Sequence, residues 1–251
     1  MSLHSTDSPV VLVTGAARRI GAAIAEYFHN CGCRVIIHCN RSRNAARELA
    51  VRLNESAPGT ATVIQADLTD QLQLDNLAQQ SLAWFERLDI VINNASSFYP
   101  TPWGTIDRKQ WQDLLDSNLS GPLFLCQLLS DELQARRGAI VNIIDIYAQR
   151  PRRGYSSYSI AKGGLQTMTR ALAEELAPRV RVNGVSPGAI LWPEDDSETD
   201  PESREKLLAT IPLGRSGNAT DVAALVYFLA TQASYVTGEV ISVDGGRRLN
   251  L

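Results

Sequence analysis

Seven short runs rich in β-branched residues alternate with longer stretches of helical periodicity, and this alternation restricts the chain to few architectures. The runs are Val10–Thr14, Arg34–His38, Ala61–Gln65, Ile90–Asn93, Ala139–Ile144, Arg181–Val185 and Val240–Val243. The helical stretches are Gly21–Asn30, Ala45–Glu55, Asp75–Phe85, Trp111–Gln134, Ser159–Leu176 and Asp221–Thr231. Strands separated by helices are joined by crossovers, so they pair in parallel and bury both faces. The expected fold is α/β: one doubly wound, seven-stranded parallel sheet with helices on both faces.

A chain of 251 residues suits one such domain and buries roughly 70–75% of the surface its unfolded form exposes. No repeat or linker divides it. Residues 1–8 are expected to be disordered, and the Pro- and acid-rich segment Leu191–Ser203 is expected to be a substrate loop, because it follows a strand's carboxyl end. The formal net charge of -3 gives no reason to expect a nucleic acid or a membrane surface as partner. No apolar run approaches the ~20 residues of a membrane helix, and the N-terminal residues lack the apolar core of a signal peptide, so a cytoplasmic protein is expected. Cys31, Cys33, Cys39 and Cys126 form no C-x-x-C pair and lie near no paired histidines. Reduced thiols and no metal site are expected.

The first strand runs into Thr14-Gly15-Ala16-Ala17-Arg18-Arg19-Ile20-Gly21 and then a helix. Such a loop turns tightly and aims free N–H groups at a pyrophosphate, which makes the sheet Rossmann-type. Arg19 stands where a glycine is usual, and Arg18 adds a second cation where the helix dipole disfavours one, so an anion is expected there. The second strand ends in His38-Cys39-Asn40-Arg41-Ser42. An NAD-selective site places an acid about 20 residues beyond the glycines, yet none occurs between Arg34 and Arg47. Arg41 and Ser42 suit a 2′-phosphate, so NADPH/NADP is the expected cofactor. Asp67, beside Leu68, is placed to accept from the adenine amino group. Asn93-Asn94-Ala95 ends the fourth strand, where small and amide side chains let a cofactor lie close, and Ser186-Pro187-Gly188 is expected to bracket the nicotinamide.

Tyr158 and Lys162 are four residues apart at the start of a helix and share a face. A free tyrosine, with pKa about 10, is a poor acid–base group near neutrality. An ammonium one turn away favours the phenolate and lowers that pKa.

In this order, Thr14–Gly21, Asn93–Ala95, Asn118, Tyr158, Lys162, Pro187–Gly188 and Val243-Asp244-Gly245-Gly246 resemble the short-chain dehydrogenase/reductase family along nearly the whole chain. The resemblance implies catalytic Tyr158 and Lys162, with Asn118 helping to hold a water chain to the lysine. It also implies a homotetramer, with Trp111–Gln134 and Ser159–Leu176 forming one interface. The family usually has a serine thirteen residues before the tyrosine, and this chain has Asp145. A carboxylate is a poor oxyanion donor, but a carboxyl suits a substrate with ring nitrogens to protonate.

That substitution, the T-G-A-A-R-R-I-G loop and the segment Asn93–Pro102 resemble the pteridine reductase branch. The resemblance implies that Phe98 stacks on a pterin over the nicotinamide, that Ser96 and Arg19 contact pterin or cofactor, and that Tyr155 and Trp192 border the pocket. Aromatic faces suit such flat heterocycles. The implied reaction is NADPH-dependent reduction of a dihydropterin, or of dihydrofolate, at a C=N bond. Dihydromonapterin as the substrate, or reduction of a 3-oxoacyl carbonyl, are the alternatives.

Overall fold

The computed structural model describes residues 5, 7–190 and 201–250. Trp192, most of the expected substrate loop, residues 1–4 and 6, and Leu251 lie outside them.

Strands β1 (Val10–Val13), β2 (Arg34–Cys39), β3 (Ala61–Gln65), β4 (Ile90–Asn93), β5 (Ala139–Ile143), β6 (Arg181–Pro187) and β7 (Val240–Val243) form one sheet, ordered β3-β2-β1-β4-β5-β6-β7. Every neighbouring pair is parallel. Side-chain alternation feeds two cores: Val11 and Val13 pack into one, Val10 and Leu12 into the other. Helices α1 (Arg19–Asn30), α2 (Arg43–Ser56) and α8 (Ala219–Thr231) cover the first face. Helices α3 (Gln71–Phe85), α5 (Gly121–Arg136) and α6 (Ser156–Glu175) cover the second. The strand order reverses between β1 and β4, so their carboxyl ends open a crevice where ligands bind in such sheets.

The structure departs from the periodicity in three places. The expected helix Trp111–Gln134 is α4 (Arg108–Leu115), a π-helical turn at Asp116–Ser120, and α5. Helix α4 starts earlier because Asp107 and Gln110 form a capping box. The last residues of the expected substrate loop belong to a further helix, α7 (Pro201–Ala209). At the amino end Ser8 is buried rather than disordered, and its carbonyl accepts from Arg34 Nη2 at 3.0 Å. Among the described residues no helix is long and apolar enough to cross a membrane.

Candidate active site

A cavity of about 790 Å³ opens at the crevice between β1 and β4. It is lined by the glycine loop, the β2 and β3 ends, the 94–99 segment, the first turns of α6 and the end of β6. Gly15 has φ 61°, and a Cβ there would lie 2.8 Å from Ala95 Cα, so only glycine lets the loop pack under β4. Arg19 adopts φ 56°, a left-handed conformation that costs a non-glycine residue roughly 1–2 kcal/mol. The sequence expectation of a displaced glycine thus has a backbone signature. The N-cap of α1, Arg18, supplies no capping hydrogen bond, and the first turn has no acid. That helix end therefore offers uncapped N–H groups and two exposed arginines to the cavity, as a diphosphate requires.

Of the other residues expected to hold a cofactor, His38, Asn40, Arg41, Ser42, Asp67, Leu68, Asn94, Ala95, Ser96, Pro187 and Gly188 all line the cavity. His38 does so indirectly. Its Nδ1 accepts from Gly15 N at 3.1 Å, and its Nε2 donates to Ala66 O at 3.0 Å. Both nitrogens are spent tying the loop to the end of β3, and burial pulls its pKa down to about 4. Burial pulls Asp67 upward, but hydrogen bonds from Thr69 and Asn40 and the charge of Arg41 outweigh it and hold the carboxyl below its ordinary value. Thr14, not singled out from sequence, fastens the floor: its Oγ1 accepts from Asn94 N at 2.9 Å and Ala95 N at 3.0 Å.

Tyr158 and Lys162 project from adjacent turns of α6, both almost fully buried. Lys162 Nζ donates to Ile143 O at 2.9 Å. Burial lowers its pKa to about 8, against an upward pull from Asp145. Tyr158 Oη donates to Asp145 Oδ2 at 2.8 Å, while Tyr147 N donates to Asp145 Oδ1 at 2.8 Å. Here the structure corrects the sequence reading. Burial first, then the Asp145 charge, push the tyrosine well above its ordinary value, so it keeps its proton. Burial also raises Asp145, despite hydrogen bonds from Tyr147 and Tyr158 and the charges of Lys162 and Arg247. Proximity to an ammonium does not make a phenolate when burial and a carboxylate both oppose it.

Asn118 enters from the π-helical turn, fully buried. Its Oδ1 accepts from Ser96 Oγ at 2.6 Å, and its Nδ2 donates to Ser97 O at 3.0 Å. It therefore clasps the 94–99 segment. That segment is held from its other side by Thr101, whose N donates to Gly154 O at 2.7 Å. The two clasps set Phe98, 48% exposed, with its ring stacked on Tyr155 at 4.7 Å and edge-on to Tyr158 at 4.8 Å. Phe98 is thus a wall of the cavity, not a core aromatic. A buried chain from Asn93 through Asn142 to Thr169 links β4, β5 and α6 at 2.8 and 2.9 Å. Arg247 also escaped the sequence reading as a part of its own chain's site: its Nη2 lies 3.5 Å from Tyr147 Oη.

A Rossmann-type sheet whose crevice gathers a glycine loop, a buried Tyr–Lys pair and an asparagine clasp defines a nucleotide-dependent oxidoreductase. The chain belongs to the short-chain dehydrogenase/reductase family: a family model described as enoyl-(acyl carrier protein) reductase matches residues 15–248. It is 36% identical to pteridine reductase 1 of Leishmania tarentolae, over 98% of each chain. It is 35% identical to a 3-oxoacyl-[acyl-carrier-protein] reductase of Synechocystis sp., over 97% of this chain and 98% of that one. The solved structure of the FolM alternative dihydrofolate reductase 1 from Brucella suis, in complex with NADP, is 34% identical. It superposes with a TM-score of 0.89 over 98% of this chain and 97% of that one.

Proposed function

We propose that this protein is an NADPH-dependent reductase of the C=N bond of dihydropterins, with dihydrofolate in the same class. One observation carries the reading: the Tyr158 hydroxyl is paired at 2.8 Å with a carboxyl, Asp145, and its ring lies edge-on to Phe98 in the cavity wall. A flat ring system fits against such a wall, and a raised carboxyl serves a basic ring nitrogen better than a carbonyl oxygen. The pteridine reductase and alternative dihydrofolate reductase likenesses support it.

NADPH, when bound, supplies the hydride. The glycine loop and the end of α1 hold its diphosphate with Arg18 and Arg19, Arg41 and Ser42 take its 2′-phosphate, and Lys162 holds its nicotinamide ribose. The chain's own residues supply the proton. Transfer from Tyr158 alone leaves a phenolate that burial and Asp145 disfavour. With the Asp145 carboxyl protonated at the start, Tyr158 passes its proton to the substrate and takes one from Asp145, which leaves the negative charge on Asp145 in the field of Lys162 and Arg247. Tyr158 and Asp145 therefore act together, protonating N5 of a dihydropterin as C6 is reduced. Asn118 and Thr101 position Phe98. Exposed Phe124 and Leu128 on α5 and Ile160 on α6 support a homotetramer built across those helices.

NADPH oxidation by purified protein tests the reading, with dihydrobiopterin, dihydromonapterin, dihydrofolate and an acetoacetyl thioester compared. Turnover of a dihydropterin without the thioester is expected. Turnover of the thioester alone replaces the reading with 3-oxoacyl reduction, which the cyanobacterial relative supports.

A further inference from the structure

Beside Asp145, next to the residues that line the cavity, lies a cationic corner. After β7, Gly245 and Gly246 both take positive φ, at 61° and 85°, and turn the chain back so that Arg247 reaches Tyr147. Its guanidinium carbon lies 5.9 Å from the Tyr147 ring centroid. The guanidinium carbon of Arg152 lies 6.0 Å from that ring and 4.8 Å from the ring of Tyr155, which stacks on Phe98. Two cations thus flank one tyrosine at the end of the aromatic wall.

Arg247 is incompletely satisfied there. Its Nε is buried with no hydrogen-bond partner, and its Nη2 contact to Tyr147 Oη is long at 3.5 Å. It makes no ion pair among the described residues. The nearby carboxylate of Asp244 is taken by Gly246 N and Arg248 N, each at 2.9 Å. A guanidinium presents a planar fork of donors matched to a carboxylate or phosphate, and a buried donor without an acceptor is costly.

We propose that Arg247, beside the Tyr147 ring, forms an anion subsite that selects ring substrates carrying an anionic tail. This rests on the dihydropterin reading and adds to it a discrimination by tail charge. The tail is a carboxylate, as in a glutamyl side chain, or a phosphate ester, and the fork accepts either.

The test measures selectivity. Titration calorimetry on the NADP-loaded protein gives Kd for dihydrobiopterin (neutral tail), dihydrofolate (glutamyl tail) and dihydroneopterin phosphate. Steady-state kcat/KM is measured alongside. In the wild type at least one anionic ligand binds more tightly than the neutral one, and added salt narrows the gap. Arg247→Met lowers the preference for that ligand about tenfold, the scale of one lost charge-assisted contact. Arg247→Lys recovers part of it, and the loss falls on KM more than on kcat. Which anionic ligand loses preference identifies the tail. Equal weakening of neutral and anionic ligands, or no change in either, overturns the subsite, as does failure of every ligand to bind. Binding without turnover overturns the reductase reading instead, while the change in Kd preference on Arg247→Met still decides the subsite.

Discussion

Replacing Asp145 by Asn keeps the shape of the side chain and removes the carboxyl that faces Tyr158. In the wild type one oxygen accepts from Tyr158 Oη and the other from Tyr147 N, both at 2.8 Å. A hydrogen bond to a charged acceptor contributes about 1.5–3 kcal/mol. The substitution therefore makes Tyr158 more acidic and pulls Lys162 further below about 8, because Asp145 was an upward influence on both. It also removes the group on which the negative charge settles, and loss of a positioned acid lowers kcat roughly 10²–10⁴-fold. The pH profile separates this from a packing defect. A proton donor must be protonated, so wild-type kcat/KM on a dihydropterin falls as pH rises through the raised Asp145 pKa. NADPH oxidation followed from acid to neutral pH shows that limb in the wild type and not in Asp145→Asn. Asp145→Ser tests the same idea from the other side: it loses dihydropterin turnover and gains acetoacetyl thioester reduction. An Asp145→Asn enzyme with undiminished turnover and an unchanged pH limb would refute the proton-donor role.

Two further perturbations probe the cofactor side. Arg19→Gly relieves a left-handed backbone at φ 56° and raises Tm by roughly 2–4 °C per kcal/mol recovered, while NADPH affinity falls about tenfold through loss of a cation. Calorimetry and NADPH titration read the opposite signs, and a joint loss of stability and affinity contradicts the assignment. His38 is neutral in the fold with a pKa of about 4, against 6.5 unfolded, so the unfolded chain takes up the proton first as pH falls. Its contribution is intact above pH 6.5 and is lost toward pH 4, by about 3 kcal/mol in full. Thermal denaturation across that window is steeper for the wild type than for His38→Gln, and identical slopes contradict the buried-neutral assignment.

The sheet was legible because each strand's apolar run and each helix's period state a face, and the crossover rule then fixes parallel pairing. The break between α4 and α5 was not. Asp116–Ser120 contains no proline or glycine to mark a break, and the extra residue of the π turn is stabilised by tertiary partners. Asn118 Nδ2 donates both to Leu114 O, one turn back, and to Ser97 O across the site. No local pattern encodes the second bond. The same limit applies to Arg247: the family resemblance implies that Arg247–Leu251 borders a neighbour's active site, but no local pattern shows it facing a tyrosine of its own chain a hundred residues away, where two left-handed glycines turn it.

For the catalytic pair, spacing gave position but not sign. Residues four apart on a helix meet wherever that helix lies, so Tyr158 and Lys162 were certain neighbours. Which proton each holds depends on what else the fold packs around them. Here both side chains of α6 are buried beside β5, and Asp145 stands two residues beyond that strand's end. Desolvation disfavours both charged forms, lowering the lysine and raising the tyrosine, and the carboxylate then reinforces the tyrosine's rise. A serine at position 145 would remove the carboxylate's share of that rise and leave burial to hold the phenol protonated. An aspartate instead gives the phenol an acid partner with a raised pKa, so a proton can be delivered without a phenolate accumulating. One side chain at the end of β5 thus changes which atom of a substrate the same fold can protonate.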